Sequence, residues 1–186
     1  IKVTIAAQAC ILLLNRRCGC YPKLYSVLVY PSTYVVGARP SLGIQPAGSS
    51  VRLGESWHHG AVVLAWDRVI KGAVNFRDGH NVAMHEFAHQ LDQEDGRADG
   101  APVLETRSAY SAGSQVFSKE YARLQHKTSK GQKSVMDRYG ATDPAEFFAV
   151  ATETFFEKPG QLQKNHPELY HELQGFYKVN PIEWGS

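Results

Sequence analysis

Apolar and polar positions divide the chain into short punctuated elements with two different periods. An apolar run near residues 2 to 14 predicts a first helix, its stretch from Thr4 to Leu14 a buried one. Leu24 to Tyr30 (LYSVLVY) and Ala61 to Trp66 (AVVLAW) are rich in β-branched and aromatic residues, end at Pro, Gly or Asp, and read as strands. Between them, Gly37 to Ser50 is a Gly/Pro/Ser loop region. From about Asn81 to Gln93, Val82, Met84, Phe87, Ala88 and Leu91 recur at helical spacing. A polar amphipathic helix is expected near Ser114 to Lys127. A better-marked one runs from Pro144 to Glu157, opened by Asp143-Pro144 and closed before Pro159-Gly160. Two shorter helices finish the chain between Pro159 and Tyr177. Strands cluster early and helices late, which predicts an α+β arrangement.

Composition narrows the classes without choosing among them. With 186 residues, one compact domain over 1–186 is the expectation. The hydrophobic fraction of 43% and charged fraction of 20% fit a globular protein. A formal net charge of +2, with no Lys/Arg block longer than a pair, does not suggest direct nucleic-acid binding. The run from Thr4 to Leu14 is too short to span a bilayer and lacks the marks of a signal peptide. Cys10, Cys18 and Cys20 form an odd set, and Cys18-Gly-Cys20 is cramped for a structural bridge. Reduced thiols in a cytoplasmic protein are expected.

The chemistry lies in His85-Glu86-Phe87-Ala88-His89 (HEFAH). Residues four apart share a helix face, so His85 and His89 offer two imidazole nitrogens to one point, a geometry zinc accepts. Glu86 is one position round, placed to serve a metal-held water as general base rather than as ligand. Buried imidazoles without partners are costly, and the uncharged flanks Ala83, Phe87, Ala88 and Leu91 predict burial. A catalytic zinc needs a third protein ligand. Asp95, six residues past His89, would serve an extended motif, but that motif wants Gly at position 92, where this chain has Asp92. Glu146 and Glu153 are seven apart on one face of the late helix, and either could reach the metal. Glu146 also fits as the third residue of a capping box with Asp143. Glu157, four residues on, could support Glu153.

The segments AMHEFAHQLD and DRYGATDPAEFFAVATETFF, with VTIAAQACILLL, VLVYPSTY and GESWHHGAVVLAWDRV upstream, resemble the Mlc titration factor A family of bacterial zinc peptidases over nearly the whole chain. The Tyr-Gly and Glu-Phe-Phe-Ala portion is similar to the catalytic domain of anthrax lethal factor. The resemblance implies a zincin-like metallopeptidase domain with a small sheet, an HExxH helix and a glutamate-bearing helix, without the family's leading segment. It implies one zinc per chain on His85, His89 and Glu146, with Glu86 and Tyr139 as catalytic residues. Glu153 then falls to orienting a ligand histidine, and Asp92 to the same role or to capping its helix. Also implied are an aminopeptidase-like activity on small peptides in the cytoplasm and binding of the transcriptional repressor Mlc. The rival expectation is a binding module that sequesters a transcriptional regulator around a structural or vestigial zinc site. For the enzyme, the strand AVVLAW is a candidate edge for pairing an extended substrate.

Overall fold

The computed structural model describes residues 1–16, 21–32, 34–36, 50–52, 54–57, 60–94, 96, 99–100 and 107–185. The Gly37 to Ser49 part of the expected loop, Cys18, Cys20 and Asp95 lie outside the described residues. A three-stranded mixed sheet has β5 (Ala61–Ala65) at its centre, β1 (Ser26–Tyr30) parallel on one side and β4 (Gly54–Trp57) antiparallel on the other. Two short strands, β2 (Tyr34–Val36) and β3 (Ser50–Arg52), pair antiparallel with each other as a separate sheet. Val62 to Ala65 are all buried, as an apolar run without alternation requires of a strand covered on both faces. This corrects the edge expected at AVVLAW: β5 is hydrogen-bonded on both sides and has no free edge for a substrate.

Seven helices are described: α1 (Lys2–Ile11), α2 (Trp66–Val74), α3 (Val82–Asp92), α4 (Arg107–Ser129), α5 (Pro144–Glu157), α6 (Pro159–Asn165) and α7 (Pro167–Tyr177). α1 is less buried than its composition suggests. It turns Ile5, Gln8 and Ala9 inward and leaves Val3 in solvent. α2 goes beyond the elements read from sequence, because it begins at Trp66 directly after β5 with no capping side chain to mark it.

α5 occupies the middle of the helical part and packs against α3, α4, α6 and α7. Every residue from Phe147 to Glu157 is buried, so no face of this helix is left to water. Asp143 caps it by accepting the Glu146 N–H at 2.9 Å, and Pro144 fits the first turn, where its missing N–H costs nothing. Its aromatic residues build the core: Phe147 and Phe148 meet Phe117 of α4, and Phe155 and Phe156 meet Tyr177 of α7. α3 lies between this helix and the sheet side, touching α1, α2, β4 and β5. No helix among the described residues is long and apolar enough to cross a membrane.

Candidate metal centre

α3 and α5 run antiparallel, so three side chains from the two helices converge. His85 Nε2 lies 2.9 Å from Glu146 Oε2, His89 Nε2 lies 3.2 Å from His85 Nε2, and His89 Nε2 lies 3.5 Å from Glu146 Oε2. Tetrahedral zinc bonds of about 2.0–2.2 Å would set ligand atoms roughly 3.3–3.6 Å apart. Of the three observed separations 3.5 Å falls in that range, while 3.2 and 2.9 Å are shorter, so a small outward shift of Glu146 from His85 would let the donor set close on one small divalent cation. The set is partly buried, with 12% of the His85, 11% of the His89 and 19% of the Glu146 side chain exposed, which leaves one side open.

The capping-box alternative for Glu146 is half realised. Its backbone N–H bonds to Asp143, but its carboxylate turns to the histidines and to Tyr139, whose phenol donates to Glu146 Oε1 at 3.3 Å. Glu153, two helical turns along, meets the other nitrogen of His85, Nδ1, in a short contact. A proton held there leaves Nε2 as the face of the ring toward Glu146 and His89. Asp92, buried at the end of α3, accepts the Gly100 N–H at 3.0 Å and so ties the following turn to the helix.

The electrostatics call for positive charge. Burial alone would lower the His85 pKa, but the charge of Glu153 and the hydrogen bonds to Glu146 and Glu153 outweigh it and raise it well above the ordinary value. Burial would raise Glu146, yet hydrogen bonds from His85 and His89 hold it well below the usual carboxylate range. Glu86 is buried, and its charge acts on both His85 and Tyr139. Burial and the neighbouring Glu146 push the Tyr139 phenol up to about 12, so it remains a donor at any ordinary pH.

Tyr139 sits in a single 3-10 turn, Arg138–Ala141, capped by Asp137, which accepts the Tyr139 N–H at 2.7 Å. A Cβ on Gly140 would lie 3.1 Å from Val150 Cβ and 3.2 Å from Leu124 Cδ2, so a bare backbone lets this turn press against α4 and α5. Sequence reasoning did not single out Asn81. It precedes the apolar run as an N-cap should, but its links to α5, more than 70 residues away, leave no sequence signal.

The sequence profile of the glucose-regulated metallo-peptidase M90 family matches residues 1–178. An uncharacterised protein of Synechocystis sp. is 43% identical over 185 residues, 98% of this chain and 67% of its own length. The Mlc titration factor A proteins of Pectobacterium atrosepticum and Serratia proteamaculans are 33% and 34% identical over 168 residues, 88% of this chain and 63% of theirs. The chain thus spans about two-thirds of the length of these relatives. With a matching profile over residues 1–178, and His85, His89 and Glu146 of α3 and α5 grouped so that they could hold a metal ion, the chain belongs to the M90 metallopeptidase family.

Proposed function

We propose that this chain is a zincin-like, zinc-dependent peptidase, aminopeptidase-like and cytoplasmic, that cleaves peptide bonds with a water activated at His85, His89 and Glu146. The observation that carries this reading is the convergence of those three donors within 3.5 Å of one another, with Glu86 and Tyr139 beside them. Zinc held there would lower the pKa of the attacking water and polarise the scissile carbonyl. Glu153 keeps the His85 Nδ1 proton in place, so that Nε2 presents its lone pair to the site. Glu86 accepts the proton of the attacking water and later delivers it to the leaving amine. Tyr139, still protonated, donates a hydrogen bond to the carbonyl oxygen as negative charge develops on it.

Glu86→Gln tests the chemistry without removing a ligand. It should retain one zinc per chain and lose peptide hydrolysis by several orders of magnitude. Near-normal turnover in that variant, or chelator-insensitive cleavage by the parent chain, would end the reading.

A second activity is favoured by the name borne by the enterobacterial relatives, Mlc titration factor A. We infer that the chain also binds an Mlc-like repressor protein, on a surface separate from the zinc site. If Glu86→Gln still binds purified repressor, the two activities are separable. Loss of both would place them on one surface.

A further inference from the structure

The segment entering α3 is held by the end of α5 opposite to the one that supplies Glu146. Gly79 N–H donates to Glu157 Oε2 at 2.9 Å, His80 N–H donates to the same oxygen at 3.2 Å, and Asn81 Nδ2 donates to Glu157 Oε1 at 3.1 Å. The backbone N–H of Asn81 goes instead to Glu153 Oε2, at 2.8 Å. Asn81 Oδ1 caps α3 by accepting the Met84 N–H at 3.1 Å, and the Asn81 C=O accepts the N–H of His85 at 2.9 Å. All four polar groups of Asn81 are therefore engaged, and they connect Glu157, Glu153, the first turn of α3 and His85.

Glu146, Glu153 and Glu157 are spaced by seven and four, so one face of α5 carries all three. The first meets His85 Nε2, the second meets His85 Nδ1, and the third fixes the start of the helix that bears His85. Glu157 does not act as a direct hydrogen-bond partner of Glu153, as spacing alone allowed; the bridge is Asn81. It is buried, and no lysine or arginine pairs with it among the described residues. Burial, with the charges of Glu153 and Asp78, pushes its carboxyl up to about 7 against the pull of Asn81 and Gly79. An apolar side chain would fill this position without that cost but would leave the Gly79 N–H and Asn81 Nδ2 unanswered, the His80 N–H keeping Asp78 Oδ1 at 3.0 Å.

We propose that Glu157 is a positioning residue for the metal centre: through Asn81 it sets the first turn of α3 against α5, so that His85 stands ready between Glu153 and Glu146. This rests on reading His85, His89 and Glu146 as a zinc site.

The test is zinc affinity, measured by competition with a chromogenic chelator, alongside the unfolding midpoint of the metal-free protein. Glu157→Ala, Asn81→Ala and the double variant form a cycle. Glu157→Ala should weaken zinc binding by about 10-fold or more, in the range seen when groups supporting a ligand are lost. The double variant should bind little worse than the weaker single one, since both changes cut the same link. Glu157→Gln keeps an oxygen for Gly79 and His80 but faces Asn81 with a second donor, so its affinity should fall between parent and Glu157→Ala. It carries the test alone should the alanine variant fail to fold. Unchanged zinc affinity with a lowered midpoint, or additive losses in the cycle, would overturn the proposal while leaving the zinc site standing. Absence of zinc binding by the parent chain would overturn both.

Discussion

His85 and His166 are both shielded from water, and each turns Nδ1 to a glutamate, Glu153 in one case and Glu120, at 2.5 Å, in the other. Their surroundings separate a metal centre from a structural pair. Around His85 stand Glu86, Glu146 and Glu153, with another histidine but no lysine or arginine paired to it among the described residues. Around His166 the single carboxylate is matched by Arg123, whose Nη1 lies 3.3 Å from Glu120 Oε1 and donates to the Asn165 C=O at 3.1 Å. That second cluster fastens α4 to the α6–α7 junction and sets one permanent cation against its one carboxylate. A buried imidazole–carboxylate contact is thus no sign of a metal by itself. Excess negative charge together with a second imidazole nitrogen at ligand distance is the distinguishing feature.

The sharpest way to break this contrast is to remove a ligand. Glu146→Ala leaves two protein donors, so zinc binding should collapse together with any hydrolysis. Glu153→Ala leaves all three donors and removes only the support behind His85, and should weaken zinc binding or rate by about 10 to 100-fold. Metal titration of both variants ranks them. Should Glu153→Ala lose the metal while Glu146→Ala keeps it, the ligand assignment is wrong.

The His166 cluster should respond in stability and not in metal binding. Glu120→Ala leaves His166 buried without its carboxylate, at a cost of about 1–3 kcal/mol. For a chain of this size that is several degrees in midpoint, with zinc affinity unchanged. The pH profiles of the metal-free protein add a sign. Burial would raise Glu120, but its hydrogen bond to and the charge of His166, with Arg123, lower it. Its stabilisation is therefore present above the ordinary carboxylate pKa and lost as pH falls through the depressed value. His85, raised, contributes stability that is full below about pH 6.5 and lost as pH rises through its folded value. Urea midpoints across pH should show Glu120→Gln trimming only the acid side and His85→Ala reducing the alkaline fall, while the part owed to Glu157, raised to about 7, remains. An unaltered alkaline fall in His85→Ala would remove that histidine from the explanation.

What the sequence revealed follows the range of the interactions. The HEFAH pair, the Asp143-Pro144 start of α5 and the break before Pro159 are local patterns, and the corresponding helices stand where those patterns put them. The spacing of Glu146 and Glu153 left the third ligand open because both share a face. Only the antiparallel placement of α3 puts His85 between them, with its two nitrogens on different glutamates. The central position of β5 was equally beyond a local reading, since pairing on both sides depends on Ser26–Tyr30 and Gly54–Trp57. The Glu120–His166 pair joins residues 46 apart without any motif.

The smallest expected effect tests whether Glu146 acts through its carboxylate or through the helix end it occupies. Asp143→Ala removes the acceptor for the Glu146 N–H and should cost about 1 kcal/mol, the usual loss for an N-cap. The damage should stay in the first turn, because α5 is buried from Phe147 onward and held by α3, α4, α6 and α7. Even if all of that cost fell on the zinc-bound state alone, a loss of about 1 kcal/mol corresponds to roughly a fivefold change in affinity. Glu146→Ala, which sacrifices a ligand, should exceed that by orders of magnitude. Calorimetry and chelator competition on the two variants compare them directly. Equal zinc loss in both would mean that the cap, and not the Glu146 carboxylate, is what the site requires of this turn.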